Sequence, residues 1–155
     1  MSERDQFDLF LWILYALGLG AMVGLEREFR GHEAGIRTTA LVCAGAAIFG
    51  QVSDMSGETR IAAGVVQGIG FLGAGLVWQR GKNVRGVTTA ATVWVMAGVG
   101  LIVAAELWLL ALLICATLVI VLELSPISDG ILRYSRDTGH ARGPAKPAED
   151  ETSVD

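Results

Sequence analysis

The chain has 155 residues, 52% hydrophobic and 18% charged, with a formal net charge of −4 and a mean hydropathy of +0.51. The apolar residues are gathered into long runs that a soluble domain of this size does not carry, so an ordinary globular core is excluded. The net charge itself says little, because the acidic residues concentrate in the tail, and no nucleic-acid partner is expected.

The opening MSERDQFD carries Glu3, Asp5 and Asp8 against Arg4, the reverse of a basic signal-peptide start, so no cleavable leader is expected. Five apolar spans follow, at 7–25, 38–52, 61–78, 87–104 and 107–124. The last two are separated only by Ala105 and Glu106. A single helix over both would run roughly 57 Å at about 1.5 Å per residue, far more than a ~30 Å hydrocarbon core, so a tight hairpin at Glu106 is predicted. Backbone groups in lipid must pair within the chain, and the expected fold is therefore all-α, a bundle of five transmembrane helices over residues 1–124. The remainder, 125–155, holds all three prolines and is expected to be a polar, disordered tail after a short helix near 131–134.

Span one ends in Gly24, Glu26, Arg27 and Glu28, and a short loop leads through Arg30 and His32 to Arg37, Thr38 and Thr39. A carboxylate at the membrane boundary requires a partner, and Arg37 across the short loop is a candidate for Glu26, with Arg27 part of the same expected cluster. Glu28, Arg30 and His32 read instead as a solvated turn. Span three, preceded by Arg60, carries glycine at 64, 68, 70, 73 and 75 around a central Gln67. Leucine and valine would serve a helix that only had to sit in lipid. Glycine lets a second backbone approach closely, or lets a helix open. Gln67 needs a hydrogen-bond partner, for which Thr92 or another backbone is the candidate, and interhelical contact is the expected role rather than ligand binding. Span four opens with Thr88 and Thr89 and holds Trp94, expected inside the bundle. Trp12, Trp78 and Trp108 suit an interfacial belt. Cys43 and Cys115 both lie in spans, so no disulfide framework or Cys-based metal site is available.

Ten of the twelve basic residues fall in the first connection, the third connection and the tail; only Arg4 and Arg60 lie elsewhere. The positive-inside rule then places the N-terminus outside and the tail in the cytoplasm. A shift of 50 residues aligns Gly18 with Gly68, Gly20 with Gly70, Arg30 with Arg80, Thr38–Thr39 with Thr88–Thr89 and Gly50 with Gly100. Either the first two hairpins are a parallel repeat, or the match is what chance gives in a chain this rich in glycine and alanine.

The segments GLEREFRGHEAGIRTTALVCAGAAIF (24–49), RIAAGVVQGIGFLGAGLVW (60–78) and VRGVTTAATVWVMAGVGL (84–101) together resemble the hydrophobic domain of the MgtC/SapB family, over residues 18 to 125. The resemblance implies a multi-pass protein of the bacterial inner membrane. Members are linked to growth under magnesium limitation and, in some pathogens, to survival in macrophages and restraint of the F-type ATP synthase. By motif it carries over Gly24, Glu26, Arg27, Arg37, Thr38, Arg60, Gly68, Gly70, Gly73, Gly75, Thr88, Thr89 and Trp94 as positions of interest. The family loop Asp-Pro-x-Arg is replaced here by Gly57-Glu58-Thr59-Arg60, which puts an ion role there in doubt. Virulence-associated members carry a C-terminal ACT-like domain, so the shorter SapB-like branch is the closer comparison.

Two functions remain in view. One is a regulator or stress-adaptation protein that touches itself, as a homo-oligomer with a dimer favoured, or another membrane protein through glycine-lined faces. The other is a small transporter or channel for a cation or metabolite, which lacks a charged residue at mid-span. No catalytic set, metal site or cofactor is expected: His32 and His140 stand alone, outside the spans.

Overall fold

The computed structural model describes residues 3–80 and 83–124; the predicted tail and Lys82 lie outside them. The order is α1 (Glu3–Phe29), α2 (Ile36–Ser56), α3 (Thr59–Leu76), β1 (Trp78–Arg80), β2 (Asn83–Arg85), α4 (Val87–Ala104) and α5 (Trp108–Glu123). Residues 1–120 form one compact unit; of the second, 121–155, only the end of α5 and Leu124 are described. Four helices, α1 to α4, are long and apolar enough to cross a membrane, whereas α5 has 16 residues and is shorter. The protein is mostly helical, as a chain without water along its middle requires.

Three of the four inter-helix turns are built from the same device. At Gly31, with φ of 70°, the amide of His32 donates to Arg27 O and that of Gly31 to Glu28 O. Gly57, φ 69°, repeats this with Glu58 N to Ser53 O and Gly57 N to Asp54 O. A left-handed residue thus satisfies the last carbonyls of each helix and reverses the chain. The third copy is at the predicted break, where Leu107 N donates to Ile102 O and Glu106 N to Val103 O. There the left-handed residue is Glu106 itself, at φ 62°, in a conformation costing an L side chain about 1 kcal/mol.

The predicted third span ends sooner than expected. Val77 leaves the helix in an extended conformation, and Trp78 enters an antiparallel two-stranded ribbon in which it pairs with Arg85. The ribbon places the Arg85 guanidinium 6.0 Å from the Trp78 ring centre, a cation–π approach. The α1–α2 loop and this ribbon lie at one end of the bundle, called the ribbon end below.

α2 is the hub, packed against both α1 and α4. Small residues make this possible. A methyl at Gly20 would stand 2.5 Å from Thr39 O and 2.6 Å from Ala40 Cα; one at Gly50 would stand 2.6 Å from Ala104 Cβ, and one at Gly100 2.8 Å from Ala46 Cβ. Ala16, Val23, Cys43, Ala47, Val93, Met96 and Val103 fill the core between them. Outward surfaces carry Phe10, Leu17, Leu41, Phe49 and Leu109, as hydrocarbon surroundings demand. Trp94, expected inside, is 53% exposed: it lies on the opposite side of α4 from the buried Thr92, Val93, Met96 and Ala97. Trp12 and Trp108 meet edge to face at 5.7 Å, and the Tyr15 hydroxyl donates to Trp108 O at 3.1 Å.

The two hairpins related by the 50-residue shift do not pack equivalently. Gly20 is pressed against α2 while Gly70 has no neighbour within 4 Å, and Gly24 lies against Thr39 and Ile36. Gly50 and Gly100 do match, each wedged between α2 and α4.

Candidate functional site

Two places in the fold hold the residues singled out from the sequence. The first is a buried polar cluster at the ribbon end. Arg27, in the last turn of α1, is 2% exposed, and its guanidinium donates to Thr89 Oγ1 on α4 at 2.6 Å across 62 residues of sequence. A buried guanidinium needs such acceptors, because charge removed from water and left unpaired is expensive. Its Nε still lacks a partner. Beside it, Glu26 has a side chain only 9% exposed, with Arg30 Nε 2.8 Å from Oε1. That approach lies outside hydrogen-bonding angles, so neither shielded carboxylate oxygen accepts a hydrogen bond.

The expected partner of Glu26, Arg37, is exposed instead. Helical spacing decides the matter: Arg30, the turn residue just after α1, stands four residues beyond Glu26 and reaches back to it, whereas Arg37 has already entered α2. The turn residues are also less idle than expected. Glu28 Oε2 accepts from the amide of Ile36 at 3.0 Å, capping the start of α2 in place of Gly35, which has no side chain to do so. His32 is held below the ordinary imidazole range, first by partial burial and then by the Arg27 charge. Thr39 turns its hydroxyl onto Gly35 O at 3.0 Å. Of the two threonine pairs, Thr39 and Thr89 are buried, whereas Thr38 and Thr88 are exposed.

The second place is α3, which has no buried residue. Its glycines were expected to bring another backbone close, yet within this chain they do not. Around Gly64, Gly68, Gly70 and Gly75 there is nothing within 4 Å, and Gly73 alone meets a neighbour, Ala90 Cβ at 3.7 Å. Gln67 is exposed and has no hydrogen bond among the described residues; Thr92, one expected partner, is buried on α4 and donates to Thr88 O at 2.9 Å. Serving the carbonyl one turn back is the habit of threonine in a helix, and it removes the hydroxyl from Gln67. Arg60, at the start of α3, is exposed. Between α2 and α3 runs an apolar cleft of about 580 Å³, lined by Leu41, Gly45 and Phe49 on one side and Gly64, Gly68 and Leu72 on the other.

A smaller cleft at the end away from the ribbon is lined by Ser53, Asp54 and Thr59, without Glu58 or Glu106. Among the described residues, no three His, Cys, Asp or Glu side chains converge as metal ligands would. Sequence reasoning missed the Glu28 cap, the Glu26–Arg30 approach, the ribbon and the long-range Arg27–Thr89 contact. The first two carry a signal, Glu28 eight residues before an uncapped helix start and Arg30 one turn after Glu26.

The MgtC family pattern matches residues 13–129. Protein MgtC of Salmonella typhimurium is 48% identical over 106 residues, covering 66% of this chain and 46% of that protein. Protein MgtC of Brucella abortus is 52% identical over 93 residues, covering 57% of this chain and 39% of that protein. The chain therefore spans less than half the length of the curated relatives it matches. No solved structure matches it.

Proposed function

Because this chain belongs to the MgtC family, we propose that it is a bacterial inner-membrane regulator or stress-adaptation protein that acts by seating α3 against another transmembrane helix. The observation that carries this reading is the state of α3: a span rich in glycine, with an amide at its middle, and no buried residue. Without a hydrophobic drive between helices in lipid, association depends on close approach of small residues and on polar groups that find partners. The link to magnesium limitation and membrane energetics comes with the family resemblance. The protein is read as non-catalytic.

The ribbon end, with Arg27, Arg30, Arg37, Arg80 and Arg85, is read as cytoplasmic, and the opposite end, with Asp54, Glu58 and Glu106, as periplasmic. In this reading α5 is the fifth span. At about 1.5 Å per residue its 16 residues give ~24 Å, short of a ~30 Å core, a difference met by the flanking Leu107 and Leu124 or by local thinning.

Transport is the competing reading. Against it, the buried core is built of alanine, valine, leucine, methionine and cysteine side chains with the hydroxyls of Thr39, Thr89 and Thr92, and among the described residues it holds no fully buried carboxylate of the kind a hard divalent cation takes as ligand. Purified protein in liposomes loaded with a divalent-ion dye separates the two. The regulator reading expects no flux, and it expects a defined membrane partner to co-purify and to be lost on Gly68→Leu. Flux that vanishes on Gln67→Ala or Gly70→Leu would put transport first. Orientation is tested separately with single cysteines at Ser56 and Lys82: labelling of both from one side of the membrane would sink it.

A further inference from the structure

The reading of α3 as a contact helix leaves its partner open, and the placement of Gln67 narrows it. Gln67 stands eight residues from one end of the 18-residue α3 and nine from the other. At about 1.5 Å per residue that is roughly 12 Å from either end, too deep in a ~30 Å core for a glutamine side chain to reach water. Its exposure is therefore exposure to hydrocarbon, where an amide with no partner is costly. Among the described residues nothing relieves it: none hydrogen-bonds to Gln67, and Thr92 is engaged on its own helix.

The residues around Gln67 show what can approach. Ala62, Val65, Ile69, Gly73 and Leu76 lie on the partly covered side of α3, and Gly73 meets α4. Ala63, Gln67, Gly70 and Ala74 are exposed on the other side, at spacings of four, three and four, which is one continuous helix stripe. Every member except Gln67 is alanine or glycine, so a second helix axis can come close along the whole stripe. Between Arg60 and Trp78 there is no charged residue, and the stripe offers a charged partner helix no complement. An amide, by contrast, complements itself: it holds a donor and an acceptor. Across a two-fold axis each Gln67 would donate to its mate and accept from it.

We propose that this stripe is a self-association surface, on which α3 of a second copy packs and the two Gln67 side chains hydrogen-bond to each other. The proposal rests on the reading of α3 as a contact helix.

The test is a dilution series of the full chain in liposomes, with subunits labelled for energy transfer and protein-to-lipid ratio varied. Wild type is expected to dimerise reversibly. Gln67→Leu removes both hydrogen bonds of the pair and should weaken the dimer by about 8- to 300-fold, the range of two interhelical hydrogen bonds in lipid, and Gln67→Asn should restore part of the loss. Gly70→Leu should abolish the dimer, while Leu112→Ala on exposed α5 should leave it unchanged. A wild type that stays monomeric, or a Gln67→Leu variant that dimerises as wild type does, overturns the proposal. A photo-crosslinking amino acid in place of the exposed Phe71, used in native membranes, separates this outcome from the wider reading. Capture of the chain itself supports the proposal. Capture of a different polypeptide alone overturns the second copy and keeps the contact helix, and capture of nothing overturns both.

Discussion

Glycine has opposite uses in two regions of this molecule. In α1, α2 and α4 the glycines at 20, 24, 50 and 100 sit where a methyl group would strike the backbone or side chain of a neighbouring helix. In α3 the glycines at 64, 68, 70 and 75 touch nothing. The first group sets the distance between helices inside the bundle, and the second leaves a helix bare. α5 sharpens the contrast. It is also largely exposed, yet it is built of leucine, isoleucine and valine, and its one hydroxyl in mid-helix, Thr117, donates to Leu113 O at 2.8 Å. α5 suits lipid as it stands; α3, with an unserved amide and missing side chains, does not.

The comparison can be broken most forcefully at the packed glycines. Gly100→Leu drives a side chain into Ala46 and the Ala47 backbone and should cost about 3 kcal/mol or more, as overpacking against backbone does. Gly75→Leu, on bare α3, should change thermal stability of the monomer in detergent by less than about 0.5 kcal/mol. Equal losses at the two sites would refute the distinction. Next in size, Thr89→Val removes the acceptor of the buried Arg27 guanidinium and should destabilise the α1–α4 contact by about 2 kcal/mol, measured by denaturation in mixed micelles. Glu106→Gly relieves a left-handed glutamate and should stabilise the α4–α5 turn by about 0.5–1 kcal/mol; a lower melting temperature would show that the Glu106 side chain has a role the turn does not reveal.

The smallest effect is one of pH. His32 is held below the ordinary imidazole range, so folding favours its neutral form. That contribution is complete above the unfolded value of about 6.5 and is lost as pH falls from there toward the folded value, because the unfolded chain takes up the proton first. His32→Gln should therefore flatten the decline in melting temperature between about pH 7 and pH 5. An unchanged slope would assign the decline to other groups.

The membrane class, the helix positions and the break at Glu106 were legible because they depend on composition and length: apolar runs, and a stretch over 87–124 too long for one helix to stay within the hydrocarbon core. The polar contacts were less legible. Glu26 and Arg27 stood out as boundary charges; Arg30, one turn after Glu26, was within reach of helical spacing but reads in sequence as part of a solvated turn, whereas Thr89 depends on how α4 docks, which no single stretch of sequence carries. The glycines of α3 were the most misleading signal inside the chain. A small residue marks where a backbone could come close, and only the packed structure tells which of these invitations is taken up internally. Trp94 fails for the same reason, since composition gives its depth along a span but not its face.

The Arg27–Thr89 contact carries a consequence for biogenesis. A ribosome completes α1 well before it has made Thr89, 62 residues later. During that interval the guanidinium has no acceptor from α4 and must be served by water and lipid headgroups at the boundary. Arg27 thereby pins the depth of α1 while the rest of the bundle is being made. Arrival of α4 then exchanges a solvated anchor for a protein contact, so the same side chain first positions a lone helix and afterwards latches the finished one.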